Sequence, residues 1–477
     1  MTIIKKSLCA AAVGCSFLMV GQAHAVNWLM VQGTEVQGSA PRAKLWGFLQ
    51  PQYERVENDK VAAGGFKDQD AAFNSIGPNL DSNSQFQLRR ARIGVRGAGF
   101  PLDDKINYFI LAEFGKNGIT EYGSAVELTD ASVTFNHIKG ARVRVGQFKT
   151  PMSEEVYQGI ALFDWINFTG YANQQLLERH LETDGLAACK TKAAGPNPTS
   201  SAAYLDKCVD GNEWEAFGAA RDTGIQVFDS FVFDGLEDWE FSYSGMVGNG
   251  NGLNEGDTNN NKDYYLYASA EKVYGGKRAR REGWKTFAWY TKGTREILDS
   301  AVLASTGVEV DEEYDRKRWG IGTTYRKGKI RAAAEYNKAD GMIFNGTLGG
   351  AIPGSIATNG NAAKAGVVSQ FNILPDEEAE GWYVDFGYKV LPNVELAARF
   401  DRYDRATEDS RNVDDAGAGD KRRFDTWTLG AQYFFNKKTR ATLNYSFRDA
   451  KAYDNDTADD VVNDFGDILS LQVTAIF

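Results

Sequence analysis

Histidine and cysteine are nearly missing from this chain of 477 residues, at three and four copies, and no long uninterrupted apolar run occurs beyond the first two dozen positions. Each gap removes a class of answer. Two of the cysteines, Cys9 and Cys15, sit in the N-terminal apolar stretch, and His137 and His180 stand outside any HExxH or CxxC setting, so no metal site is expected. No GxSxG elbow is present. GTTYRKGKI at 322–330 has the wrong glycine spacing for a phosphate-binding loop and Ile330 where Ser or Thr belongs, so it reads as a hairpin. GNGNG at 248–252 follows a strand pattern and does not open a helix, unlike a dinucleotide turn. Enzyme chemistry and cofactors are therefore not expected. An excess of cation is missing too: 53 Lys and Arg face 64 Asp and Glu, which argues against a nucleic-acid partner. Proline is scarce at 10, whereas glycine at 50 and aromatics at 12% are plentiful, a balance that suits strands and turns better than disorder.

The N-terminus carries MTIIKK, the apolar run SLCAAAVGCSFLMVGQ, and then Ala23-His24-Ala25. This has the order of a secretory signal peptide over 1–25, with Val26 as the mature start. The run falls short of the roughly 20 residues a spanning helix needs. Losing Lys5 and Lys6 with it moves the formal charge from −11 to −13. Cys189 and Cys208 then remain, in an oxidising compartment and in a polar stretch. A disulfide between them is expected, with two buried thiols as the alternative.

With no apolar run long enough for a helix, any membrane insertion must use strands. The chain supplies them. Its end, DILSLQVTAIF at 467–477, sets Leu469, Leu471, Val473, Ala475 and Phe477 on one side and Ser470, Gln472 and Thr474 on the other. Trp319 to Asn337 repeats the pattern as a hairpin around KGK: Trp319, Ile321, Thr323, Tyr325, Ile330, Ala332, Ala334 and Tyr336 share a face. Small and polar residues take the other face, which suits water and not a core. Gly381 to Asp401 and Phe424 to Arg448 read the same way. The period predicts about sixteen strands, near 42–53, 86–97, 104–114, 126–136, 141–148, 222–232, 238–248, 262–272, 283–293, 317–326, 329–338, 381–390, 393–403, 424–434, 439–448 and 467–477. Short turns alternate with longer loops between them, and aromatics recur near strand ends. A soluble sandwich has no reason to alternate loop length, whereas an outer-membrane barrel does. The expected fold is all-β: a transmembrane antiparallel β-barrel of about sixteen strands over 42–477, preceded by a short periplasmic segment, 26–41, acting as a tail or a plug.

The third long loop, about 149–221, carries both mature cysteines. Its midpart, FDWINFTGYANQQLLERHLE, has a helical pattern and several aromatics. It is expected to fold into the barrel and narrow it, a cap on the outside being the alternative. Placing Ala91, Ile93 and Val95 toward lipid turns Arg90, Arg92 and Arg96 inward, and Val143 and Val145 likewise turn Arg142 and Arg144 inward. Lys149 begins the loop. Lys105, Arg326, Arg331, Lys389, Arg399, Arg440 and Arg448 are assigned inward with them, against the acids Glu113, Asp130, Glu240, Glu335, Asp385, Glu395 and Asp401. A basic lumen follows, in which some arginines attract anions and others brace the wall by pairing with acids. Acidic runs at 311–315, 376–380, 414–420 and 454–464 fall in expected outer loops, read as solvated, with bridging to lipopolysaccharide by divalent ions as the alternative.

FQLRRARIGVRG at 86–97, YFILAEFG at 108–115, ELTDASVTF at 127–135 and VRVGQFKTPMSEE at 143–155, continued by LLERHL at 176–181 and RDTGIQV at 221–227, together resemble the phosphate-selective porin O and P family of Gram-negative outer membranes. The resemblance implies a sixteen-stranded, usually homotrimeric channel with an inserted third loop and a lumen of Arg and Lys that draws small anions such as phosphate. It further implies that the terminal Phe477 is read by the outer-membrane insertion machinery. Arg90, Arg92, Arg96, Arg142, Arg144, Lys149 and Arg331 are the candidate anion-binding residues.

Overall fold

A strand with one apolar and one polar side is stable in a bilayer only if its backbone groups find partners on both edges, which a closed barrel provides. The computed structural model of the chain describes residues 27–35, 41–57, 84–99, 103–115, 117, 126–181, 214–216, 220–254, 256–257, 259–275, 281–298, 311–345, 372–374, 376–407, 421–453 and 466–477. Sixteen antiparallel strands close on themselves in chain order. They are β1 Lys44–Glu57, β2 Ser84–Ala98, β3 Ile106–Glu113, β4 Glu127–Phe135, β5 Arg142–Lys149, β6 Arg221–Phe231, β7 Trp239–Gly248 and β8 Asp263–Gly275, then β9 Glu282–Leu298, β10 Asp311–Lys327, β11 Ile330–Asp340, β12 Glu378–Leu391, β13 Val394–Arg405, β14 Arg422–Phe434, β15 Thr439–Ala452 and β16 Asp467–Ile476. Two short ribbons, 179–181 with 214–216 and 343–345 with 372–374, stand outside the barrel sheet.

Closure joins β16 to β1, with Leu49 opposite Ala475 and Tyr53 opposite Leu471. Phe477 extends the seam: its N–H donates to the Gly47 carbonyl at 3.0 Å, and the Gly47 N–H donates back at 3.4 Å. The proline at position 51 is accommodated at a bulge where the register shifts between Gln50 and Pro51, which is where a strand tolerates a residue without an N–H. On the short-turn side, His137 lies 2.7 Å from Asp103, tying two neighbouring turns together. The Lys105 N–H and then the His137 ring hold the Asp103 carboxyl below its usual range.

The outer surface reads as layers. A band of exposed aliphatics, among them Leu266, Ile321, Val384, Leu396 and Leu429, fills the middle. Toward the long loops it meets a girdle of Trp319, Tyr336, Trp382, Phe400, Trp427 and Phe447, with ring centroids 5.1 Å apart for Trp382 and Phe400 and 4.9 Å for Phe400 and Trp427. Tyr433 and Phe435 belong to a second girdle on the short-turn side. One step of two residues beyond the upper girdle the outward positions become charged: Lys317, Lys338, Glu380, Arg402 and Asp425. This order of apolar band, rings and charge is the profile of a bilayer from core to headgroup. Leu429 lies on β14 between Trp427 and Tyr433, so Leu429→Arg is expected to cost about 2–4 kcal/mol, read as a lower unfolding midpoint in lipid.

Candidate functional site

The inward faces alternate as regularly as the outward ones, and two sets of residues fold against them. Thr150–Leu181, the described start of the third loop, crosses the lumen. It holds a short helix, α1 Glu154–Tyr157, and a π-helical turn at Ala172–Leu176, and of the two only the turn falls within the stretch 163–182 that has a helical pattern in sequence. Its anchors reach around most of the wall. Ser153 donates to Glu335 on β11 at 3.1 Å, the Trp165 indole N–H donates to Asp385 on β12 at 3.3 Å, and the Gly170 N–H donates to Asp401 on β13 at 3.2 Å. The Ile166 N–H donates to Asn444 on β15 at 2.9 Å, and Asn167 donates to Glu54 on β1 at 3.1 Å. Glu154 pairs with Lys285 on β9. Two glycines make the seats: a Cβ at Gly381 would lie 2.5 Å from the Tyr171 Cβ, and one at Gly430 would lie 2.9 Å from the Trp165 ring. At these points the small inward residues of the strand pattern serve the loop as well as water.

The second set is Asn27–Glu35, part of the segment expected on the periplasmic side. It packs within the barrel against β2 to β7. Asn27 donates to Glu240 at 2.7 Å, and Leu29 is buried with Tyr157 of the loop and Phe228 of β6. Glu35 lies 3.4 Å from Arg96 and accepts from Asn107 at 2.8 Å, while Arg144 donates to the Gln32 carbonyl.

The predicted anion ligands face the lumen, and most are engaged there. Arg90 donates to Gln50 at 3.0 Å. Arg92 forms a buried pair with Glu113 at 2.7 Å, and Arg142 meets Asp229 at 3.1 Å. Arg96 and Arg144 bind the N-terminal segment, and Arg144 also donates to Gln226 at 3.1 Å and stands 4.4 Å from the Phe228 ring centroid. Lys149 departs from the expected role: its ammonium donates to the Val156 and Gln158 carbonyls at 2.8 and 2.7 Å, so it fastens the loop's first turn. Arg331 lies among three carboxylates, Asp385 at 2.5 Å, Glu395 at 2.6 Å and Asp164 at 3.6 Å. The candidate residues thus line two stretches of wall, β2 to β5 and β11, and do not converge on one point. Cys189 and Cys208 lie outside the described residues, as do the signal peptide and the acidic runs at 414–420 and 454–464; the runs at 311–315 and 376–380 reach into β10 and β12.

The excess of inward bases expected from strand positions narrows when every buried side chain is counted, those of the loop included. Among the described residues sixteen Lys and Arg are buried against fifteen Asp and Glu. Glu154, Glu155 and Glu178 account for part of the difference, because they come from the loop and no strand register could place them. Placement, not number, sets the field. Arg318 on β10, Arg405 on β13 and Arg422 on β14 are at most 1% exposed and lie on one level of the wall. Arg318 stands opposite Ala339, Ala339 opposite Ala379, Ala379 opposite Arg405, and Arg405 opposite Arg422. The Arg318 guanidinium donates to the carbonyls of Lys317, Asp340, Gly341 and Met342 at 2.8–3.2 Å, which fix it without cancelling its charge. Tyr171, 6.0 Å from Tyr403, sits beside this row. Sequence reasoning missed Arg405 and Arg422 because it ended their strands two residues short, at 403 and 424; Arg318 lies within the expected strand 317–326, at a position that was not singled out.

Farther in, Arg331 and Arg399 lie 5.3 and 5.1 Å from the Trp165 ring. They border a cavity of about 120 Å³ on the short-turn side of the loop, lined also by Asp164, Lys285 and Arg326. This chamber mixes both signs, while the row above it brings three arginines to one level.

Among curated proteins none matches the chain. Solved structures similar to it include a loop-deleted form of the outer membrane protein OmpT of Vibrio cholerae, at 11% identity over 91% of this chain and 99% of that one, with a TM-score of 0.48. The outer membrane channel DcaP of Acinetobacter baumannii is 13% identical over 94% and 100%, and an anion-selective porin from Comamonas acidovorans is 12% identical over 91% and 99%, each with a TM-score of 0.48. The family described as phosphate-selective porin O and P matches residues 62–182 and 299–477. That match spans more than half of the chain and leaves out 221–227, one of the stretches that carried the resemblance. The chain belongs to this family and is a porin of the Gram-negative outer membrane.

Proposed function

We propose that this porin passes small anions, inorganic phosphate among them, by passive diffusion, and that the third loop narrows the route. The observation that carries the reading is the row Arg318, Arg405 and Arg422 on the long-loop side of Tyr171. Arginine stays charged, so a row of it in the wall, even with its nitrogens taken up by carbonyls as at Arg318, draws anions toward the entry through its field. Charged rings of this kind select ions by sign. Arg399 and Arg331, each held by carboxylates, stand past Trp165, and Arg90, Arg92, Arg96, Arg142 and Arg144 line the opposite wall. We further infer that the channel is a homotrimer and that Phe477 serves as the insertion signal at the barrel seam.

A reversal potential in a salt gradient across a planar bilayer tests the selectivity. The native channel is expected to favour the anion, and added phosphate to reduce its chloride current. Arg318→Glu with Arg405→Glu is expected to swing the preference toward cations; an unmoved reversal potential would refute the role given to the row. The near parity of buried bases and acids favours a second reading, a porin of broad selectivity. A native reversal potential near zero would establish it.

A further inference from the structure

We propose that the outer face of β14 and β15 holds a binding site for the phosphate-bearing headgroup of an outer-leaflet glycolipid, formed by Lys421, Arg423, Lys451 and Tyr453. The Lys421 and Lys451 ammoniums each lie 5.4 Å from the Tyr453 ring centroid, and the Arg423 guanidinium lies 5.8 Å from it. Three cations therefore converge on one ring. Arg423 and Lys451 stand directly opposite across the two strands, a like-charged pair that a sheet does not favour unless something answers it. Arg423 is answered by Asp404 at 2.7 Å. For Lys421 and Lys451 no carboxylate lies within ion-pair distance among the described residues. Elsewhere on this charged belt the cations are answered in place: Lys317 by Asp340 at 3.0 Å, Lys338 by Glu378 at 2.6 Å, and Arg402 by Asp425 at 2.7 Å.

Depth names the ligand. Along β14 the outward positions run Leu429, Trp427, Asp425, Arg423, with about 7 Å between successive ones. Trp427 and Phe447, 55% and 46% exposed, mark the upper edge of the hydrocarbon, so the three cations stand at headgroup height on the lipid side of the wall. A phosphate monoester brings nearly two negative charges and three acceptor oxygens, enough for both lysines and one edge of the Arg423 fork. The acyl chains of the same molecule then run down over Trp427 and Leu429. A free phosphate ion has no such contact and gains nothing from this position.

The test uses the purified full-length porin in detergent and measures retention of a bisphosphorylated lipid A by native mass spectrometry. Its dephosphorylated form and inorganic phosphate are the comparison ligands. The native protein is expected to retain the bisphosphorylated lipid at least about ten-fold better than the dephosphorylated one, and Lys421→Glu with Lys451→Glu is expected to remove that margin. Single-channel conductance and reversal potential should stay unchanged in this variant, which shows that the barrel has folded and the lumen is intact. Equal retention of the lipid by both proteins would overturn the proposal. So would displacement of the bound lipid by millimolar inorganic phosphate, which would make the cluster a site for the free ion.

Discussion

A porin lacking residues 27–35 is expected to show a larger single-channel conductance than the intact protein and a stronger preference for anions. The segment lies among inward side chains of β2 to β7, so its removal opens cross-section that its nine residues now fill. Two cations change state at once. Arg96 loses Glu35, its neighbour at 3.4 Å, and Arg144 loses the Gln32 carbonyl it donates to. Both guanidiniums then face water in a widened passage, where one acid fewer is present to repel anions. The segment also contributes to stability: burying the Leu29 side chain alone is worth about 1.5–3 kcal/mol. The shortened barrel is therefore expected to unfold at a lower temperature while still reaching the membrane, since none of the removed residues belongs to a strand. Glu35→Gln separates charge from bulk, because it keeps the segment and should raise anion preference with little gain in conductance. Equal conductance with and without the segment would show that ions pass elsewhere in the lumen.

The parts of this molecule that were legible in sequence are those governed by a period. All sixteen strands follow from alternation, because lipid on one side and the lumen on the other impose opposite demands on successive residues. Turns followed from the same pattern. Strand ends did not, since above the aromatic girdle both faces become polar and the alternation loses its contrast. That is why β10 begins at Asp311 and not near 317, and why Arg405 and Arg422, each two residues beyond an expected strand end, went unnoticed. The loop was harder still. Nothing in the spacing of Glu154, Glu155 and Trp165 tells which wall residue each will meet, because their partners lie on β9, β13 and β12. Lys149 shows the consequence: read as an anion ligand from its place at the start of the loop, it is the last residue of β5 and is taken up by carbonyls of that loop.

The loop's hold on the wall is tested most directly at Arg331. Its guanidinium serves Asp385, Glu395 and Asp164 and lies against the Trp165 ring. Asp164 and Trp165 belong to the loop, and Asp385 and Glu395 to the wall, so this one side chain joins the two bodies. Arg331→Ala leaves three carboxylates facing each other without their shared cation, a loss of the kind that costs about 3–5 kcal/mol in a buried site. Part of that cost is relieved if the loop withdraws Asp164 from the other two. The expected results are a lower unfolding midpoint, a noisier and larger single-channel current as Trp165 loses its seat, and a shift of reversal potential toward cations. Arg331→Lys keeps a charge but not the fork, and should restore selectivity more fully than current stability. Adding Asp385→Asn to Arg331→Ala removes one of the stranded carboxylates and should recover part of the stability, because the two positions share one network and their effects do not add. If the double variant were as unstable as the sum of its parts, Arg331 and Asp385 would be acting independently, and the loop would be held by its other anchors on β1, β9, β11, β13 and β15.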